Sequence, residues 1–541
     1  MNMSKPVIRF CLNGNWIEEN AVASDMTVLR YLRTQQVLAG TKEGCGSGDC
    51  GACSVLLGER YLDDSANESG DSHWQYQAIN GCITFVAQLD GKSLITVDAL
   101  ATKAPIKKGL AKENTGDQLH PAQQAMVDYH GSQCGFCTPG IVMSLAALHE
   151  NQRINKNSEP ADHHQIIDAL SGNLCRCTGY RPIIEAAENM NNYHNNSVDV
   201  GQVGIWQPAA IVAVTAETEA GLFHSTSKID SESQSWSPKT EDELKALLAQ
   251  YPEARMVAGA TDIALEVTQM NRRIPQLIAI NDIPSLKSIN IEDESILMGA
   301  GVTYSQMEAT LNEHFPEFGQ LMHRFASRQV RNNGTMGGNV ANASPIGDTP
   351  PVLLALGACI ELASAEGSRW LPLHEFFIDY KKTQQKPGEY LRMIRIPRLH
   401  ANQVLKVYKI SKRLEDDISA VLAAFKFTLA GEAGAQTVTA ISSGFGGMAG
   451  IPKAASKLEQ ALLNQPVSMA AFEKAAQVLE QDFSPMTDVR ATSAYRMQVA
   501  KNLLQKCAFE LSNPNAVTRI EALDKSELSL SEVNAEEANH A

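Results

Sequence analysis

Eight of the eleven cysteines in this 541-residue chain fall into two groups. The first is Cys45, Cys50 and Cys53, spaced C-x4-C-x2-C, with Cys82 following. The second couples a C-x2-C pair, Cys134 and Cys137, to a C-x-C pair, Cys175 and Cys177. No other feature restricts the fold as much, because four thiolates converging on one inorganic centre dictate the loops that carry them. Cys11, Cys359 and Cys507 stand alone and read as buried apolar residues. The N-terminal run Val7-Ile8-Arg9-Phe10 alternates like a strand and lacks the apolar stretch of a secretory leader. A cytoplasmic, reducing setting is expected, where clustered cysteines mean metal and not disulfides.

The spacing of the first group is that of plant-type [2Fe–2S] ferredoxins. The glycines of Gly44-Cys45-Gly46-Ser47-Gly48-Asp49-Cys50-Gly51 allow positive φ and let N–H groups approach sulfur. A zinc ribbon would want two C-x2-C pairs, and this group has one. Gly46-x-Gly48-x-x-Gly51 matches a dinucleotide fingerprint in form only, since Cys50 sits inside it and no strand and long helix frame it. Asn13-Gly14 between β-prone runs signals a hairpin, Val28, Leu29 and Leu32 share a helical face, and Cys53 to Leu57 reads as a strand. A β-grasp, ferredoxin-like domain over residues 1–97 is expected. The acidic stretch from Asp63 to Asp71 reads as a surface loop.

The second group sits among helical segments: 121–127 before it, 141–145 within it and 183–187 after it. The motifs Gln133-Cys134-Gly135-Phe136-Cys137-Thr138-Pro139-Gly140 and Asn173-Leu174-Cys175-Arg176-Cys177-Thr178-Gly179-Tyr180 resemble the helical [2Fe–2S] domain of the molybdenum hydroxylases. That resemblance implies a four-helix [2Fe–2S] domain over 98–195 and makes all eight cysteines cluster ligands. His163-His164 reads as a solvated helix start.

A mixed stretch over 196–235 reads as a linker, and a helix signal opens at Thr240. Two glycine-bearing segments follow, each weak alone: Met256-Val257-Ala258-Gly259-Ala260-Thr261-Asp262-Ile263, a short strand ending in a turn, and Gly334-Thr335-Met336-Gly337-Gly338-Asn339, a loop open to a pyrophosphate. With Phe325 to Arg331 and Ala343 to Asp348 they resemble the flavin domain of the same family. The resemblance implies FAD held by residues Met256 to Ile263 and Thr335 to Asn339, and touched by Phe325, Asp348, Leu391 and Lys409. Lys412 to Ser419 resembles the xanthine dehydrogenase members in particular. Gly444-Phe445-Gly446-Gly447 reads as a tight turn, and the remainder as alternating strands and helices.

The expected fold class is therefore multidomain α+β. The two cluster domains are followed by a vanillyl-alcohol-oxidase/PCMH-type FAD-binding α+β domain over 236–400. A small C-terminal α+β domain over 401–512 and a mobile tail over 513–541 complete the chain. The net charge of −15 argues against a nucleic-acid partner, and no apolar stretch reaches bilayer length. The resemblance further implies a molybdopterin-binding large subunit as partner in a dimer of heterodimers, with NAD+ as electron acceptor. It implies no acid–base residue for hydroxylation in this chain. Subunits serving aldehydes or N-heterocycles, a stand-alone electron carrier and a zinc scaffold are the rival readings.

Overall fold

A computed structural model describes residues 7–20, 22–62, 72–101, 119–154, 159–193, 233–432 and 434–519. The acidic loop expected at 63–71, most of the 196–235 linker and the tail beyond 519 lie outside the described residues. The chain divides into two compact units: residues up to 344 with 358–398 and 411–418, and residues 345–357 and 399–410 with everything from 419.

The first unit opens with β1 (Ile8–Leu12) and β2 (Asn15–Glu19), joined at Asn13 (φ 50°) and Gly14 (φ 86°). Two successive positive-φ residues make the two-residue hairpin that Asn-Gly favours. Helix α1 (Val28–Thr34), capped by Thr27, buries Val28, Leu29, Tyr31 and Leu32. With β3 (Ser54–Leu62), β4 (Ser72–Asn80) and β5 (Ser93–Ile95) the strands form one sheet, ordered β2-β1-β5-β3-β4, in which β1 and β5 run parallel.

Four helices follow: α2 (Pro121–Asp128), α3 (Thr138–Ile154), α4 (His163–Leu170) and α5 (Arg181–Asn189). Proline sits in the first turn of α2 and α5, where its missing N–H costs nothing. Their apolar faces share a core with Leu56, Trp74, Tyr76 and Ile95 of the preceding sheet.

Next come β6 (Gln234–Trp236), α6 (Glu241–Gln250), β7 (Arg255–Val257), α7 (Ile263–Thr268) and β8 (Gln276–Ala279). The three strands form a parallel sheet ordered β6-β8-β7. Val257, Ala260, Ala264 and Leu277 from this region pack into one core with Phe10, Cys53, Cys82 and Phe85. After β9 (Ile289–Ile291) and β10 (Ser295–Gly299) the chain runs through α8 (Tyr304–His314), α9 (Pro316–His323), α10 (Arg328–Arg331) and α11 (Met336–Ala341). It then lends α12 (Thr349–Leu356) to the second unit. Strands β11 (Cys359–Ser364) and β12 (Gly367–Pro372) lead to a short α13 (Leu373–Phe376), the small hairpin of β13 (Phe377–Asp379) and β14 (Lys382–Thr383), and β15 (Tyr390–Pro397). These complete an antiparallel sheet ordered β12-β11-β15-β10-β9.

The second unit is a meander of β16 (Gln403–Ile410), β17 (Val421–Ala430) and β18 (Thr437–Gly446). Helices α14 (Ser456–Leu462), α15 (Met469–Ala476), α16 (Leu479–Asp482) and α17 (Ser493–Ser512) follow. Phe425, Phe427, Phe445 and Phe472 meet in its core with Leu504 and Cys507. The expected tight turn at 444–447 is instead the end of β18, and only Gly447, at φ 78°, turns. Position 444 in this strand needs glycine because a Cβ there would lie 1.9 Å from the carbonyl oxygen of Pro351 in α12. Among the described residues no helix is long and apolar enough to cross a membrane.

Glu510 ties this unit together. It is 6% exposed and meets Lys406 and Lys506 at 3.0 Å each, Tyr408 at 2.9 Å and Thr518 at 2.6 Å. Burial raises its pKa, but hydrogen bonds from Thr518, Lys506 and Lys406 outweigh burial and lower it to about 2. An unfolded glutamate titrates near 4.3, so the native state holds that proton less tightly. The stabilisation is complete above about pH 5 and is lost as pH falls towards 2. The melting temperature of the full chain should drop over that window, and Glu510→Gln should flatten the drop. An unchanged profile in the variant would discount this carboxylate.

Candidate cofactor sites

The first cysteine group lies on the loop before β3 and on the turn Gly81–Ile83 after β4. Gly46, Gly48 and Gly51 hold φ of 66°, 84° and 67°, and a Cβ on Gly44 would come within 2.7 Å of the Cys50 sulfur. The Ser47 N–H points at the Cys45 sulfur at 3.4 Å. Hydrogen bonds from the Cys50 and Cys82 thiols drive the Cys45 pKa far below the usual range. Donating to Cys45 pushes the Cys50 thiol up, and hydrogen bonds to Cys45 and Cys53 push Cys82 up. Hydrogen bonds thus link the sulfurs of Cys45, Cys50, Cys53 and Cys82. Asn80 braces the loop, donating from Nδ2 to the Gly48 carbonyl at 2.9 Å.

In the second group the Cys134 and Cys177 sulfurs are 3.4 Å apart. The Cys175 sulfur lies 3.2 Å from Thr178 Oγ1. Burial, then hydrogen bonding to Cys175, pushes the Cys137 thiol up to about 12. Cys137 sits immediately before α3. Cys175 is buried, whereas Cys134 and Cys177 are exposed.

Among the described residues, the trio of ligand-type atoms lying within 4.8 Å of one another is His120, His149 and Glu150. The spacing of the first quartet and the C-x-C pair of the second suit a two-iron cluster better than one tetrahedral zinc ion. Hydrogen bonds join the histidine trio through Glu150. His120 Nδ1 accepts the Ala122 N–H at 3.1 Å, so its Nε2 carries the proton and donates to Glu150 at 3.2 Å. His163 begins α4 and pairs with Glu188 at 3.0 Å, which agrees with a helix start. Of the isolated cysteines, Cys11 and Cys507 are buried, but Cys359, on β11, is only partly so.

The two glycine segments meet in the first unit. A Cβ on Gly259 would lie 2.0 Å from the Asn333 carbonyl oxygen, so the backbones of the two loops touch. Ala260 holds φ 64° in the turn between β7 and α7. The segment 334–339, expected as a loop, is mostly the start of α11. Thr335 caps it by accepting the Gly338 N–H at 2.9 Å, and Gly337 packs against Ala300 too closely for any side chain. Gly338 and Asp262 are exposed beside this seam, while Val257, Ala260, Thr335 and Met336 are buried under it. The Phe325 ring lies 4.5 Å from that of Tyr304, tilted by 57°, and Leu391 is buried on β15. In the second unit Lys409 reaches Asp348 at 2.7 Å, and Ser419 donates to the other oxygen of that carboxylate at 2.5 Å. Lys409 is thus a buried, paired cation and not a solvated one. Two thin backbone turns and a seam that excludes side chains fit the diphosphate and ribityl part of FAD.

Sequence reasoning missed Asn80, Asn173 and Gln329, whose amides brace these loops. Single polar residues at a loop edge carry no periodic signal.

Four family models match in succession. They are the 2Fe-2S iron-sulfur cluster binding domain over residues 10–87, the [2Fe-2S] binding domain over 107–188, the FAD binding domain in molybdopterin dehydrogenase over 231–399, and the CO dehydrogenase flavoprotein C-terminal domain over 406–511. The chain is 30% identical over 522 residues to a xanthine dehydrogenase of Drosophila pseudoobscura pseudoobscura, covering 87% of this chain and 36% of that protein. A xanthine dehydrogenase/oxidase of Mus musculus is 33% identical over 482 residues, covering 81% and 34%. The chain thus spans little more than a third of these relatives' length. Among solved structures, a chain of reconstituted CO dehydrogenase from Oligotropha carboxidovorans aligns with TM-score 0.48 and 27% identity, over 52% of this chain and 98% of that one.

Proposed function

We propose, for a chain that belongs to the molybdenum hydroxylase family by its iron–sulfur and flavin domains, that it is the electron-transfer part of a xanthine dehydrogenase. The observation that carries this reading is the gathering, in one compact unit, of two cysteine quartets and the paired glycine segments. Cys45, Cys50, Cys53 and Cys82 would hold one [2Fe–2S] cluster, and Cys134, Cys137, Cys175 and Cys177 the other. Met256 to Ile263, Phe325, Thr335 to Asn339, Asp348, Leu391 and Lys409 would hold FAD. Bound there, the three groups would supply single-electron steps from a partner's molybdenum centre, where hypoxanthine and xanthine are oxidised, and a hydride for NAD+.

The chain's own work is positional. Loop N–H groups aimed at sulfur favour the charged forms of the cluster. The Gly259–Asn333 seam would back one side of the cofactor, and the Asp348–Lys409 pair sets a fixed dipole inside the second unit.

Metal analysis and electron paramagnetic resonance of the purified complex test the reading. Iron, flavin and molybdenum together with hypoxanthine-dependent NAD+ reduction are expected. A colourless protein holding zinc would overturn it, and turnover of aldehydes without purines would move the substrate elsewhere in the family.

A further inference from the structure

We infer that Asn173 and Gln329 are positioning residues that fix the spacing of the three cofactor-bearing loops, an inference that rests on the electron-transfer reading above. Asn173 precedes the Leu174-Cys175 segment of the second quartet, Gly51 lies between Cys50 and Cys53 of the first, and Gln329 sits in α10 ahead of the Asn333 seam. These residues meet at one buried point. Asn173 Nδ2 donates to the Gly51 carbonyl at 3.1 Å and to Ser54 Oγ at 3.3 Å. Its Oδ1 accepts from Ser144 Oγ at 2.7 Å and from Gln329 Nε2 at 3.0 Å. Gln329 Nε2 also reaches Ser144 Oγ at 2.8 Å and the Ala169 carbonyl at 3.0 Å. Asn173 is 3% exposed, and Gln329 and Ser144 are 1% exposed.

The backbones close in around this point. The Leu174 N–H donates to the Cys50 carbonyl at 3.0 Å, so ligand-bearing segments of the two quartets are joined by one hydrogen bond. A Cβ on Gly140 would lie 2.1 Å from the Gly51 oxygen, one on Gly51 2.3 Å from the Gly172 oxygen, and one on Gly172 2.2 Å from Gln329 Oε1. The loops interlock with no room for a Cβ at Gly51, Gly140 or Gly172. An apolar cluster could fill the same volume without desolvating three amide and hydroxyl groups, but it would tolerate sliding. A network that uses both ends of the Asn173 amide accepts one register only. Electron transfer between fixed centres requires such a register.

The test uses the full chain with its iron and flavin, compared with Asn173→Ala and with Gln329→Met, which keeps length and removes the donor. Wild type reduced with dithionite is expected to show magnetic splitting between the two clusters. Both variants should keep wild-type iron and flavin content, show an altered splitting, and equilibrate clusters with flavin about tenfold more slowly or worse, as small misplacements of reacting groups do. Unchanged splitting and unchanged kinetics in fully loaded Gln329→Met would overturn the inference. A wild type without iron or flavin would instead overturn the reading on which it rests.

Discussion

Replacing Gly259 by alanine is expected to strip the chain of flavin while leaving both iron–sulfur signals in place. The added carbon would sit 2.0 Å from the Asn333 oxygen, 2.6 Å from its carbonyl carbon and 2.9 Å from Gly334 Cα. All three are backbone atoms, so no rotamer can relieve the clash, and the two loops must separate. Overpacking of this kind costs about 1–3 kcal/mol, sometimes more. If that strain falls on the flavin site, FAD binding weakens roughly ten- to a hundredfold. Flavin absorbance after gel filtration reads the outcome. Gly450→Ala is the control, since nothing lies within 4 Å of the Cβ it would add. A fully loaded Gly259→Ala protein would remove the diphosphate from this seam.

Replacing Cys82 by serine is expected to abolish the ferredoxin-type paramagnetic signal and roughly halve the iron, with the second signal intact. Cys82 is 2% exposed, and its thiol engages Cys45 and Cys53. A serine oxygen is a poor iron ligand, and without metal it is a hydroxyl in an apolar core, costing about 1–3 kcal/mol unless a partner is found. Electron flow through the chain should fall by orders of magnitude. The exposed Cys177 makes the contrast, since its serine variant should lose the other signal with little cost in stability. A ferredoxin-type signal surviving in Cys82→Ser would exclude this cysteine as a ligand.

What could be read from the sequence followed from how local the cause was. The Asn13-Gly14 hairpin, the amphipathic face of α1 and the Thr240 cap depend on neighbours a few residues away, and the structure contains all three. The cysteine spacings pointed to two groups, and the sulfurs of each gather as expected. Structure departs from the reading where long-range packing decides. Thr335 turns an apparent glycine loop into the first turn of α11, and Gly444, which reads as part of a tight turn, lies in β18 and pairs with Ala424, its missing Cβ leaving room for Pro351. The His120–Glu150 network and the Asn173–Gln329 junction join residues 30 and 156 positions apart, a separation no window of sequence can span. In sequence Asp348 and Lys409 are two separate residues 61 positions apart, and only the structure shows them as a buried ion pair.

The apolar core that mixes Phe10, Val28 and Cys82 with Val257, Ala264 and Leu277 has a consequence for how the molecule comes apart. Segments matched to different families and more than 150 residues apart share one interior, so neither owns a complete hydrophobic nucleus. Heating or denaturant should then melt them in a single cooperative step, with iron and flavin leaving together. A gene fragment cut between them would give two polypeptides with their oily faces bare, each prone to aggregation unless the other is present. For a redox relay this arrangement is protective, because a shared core disfavours states in which one carrier stays folded and exposed while its neighbour has dissolved.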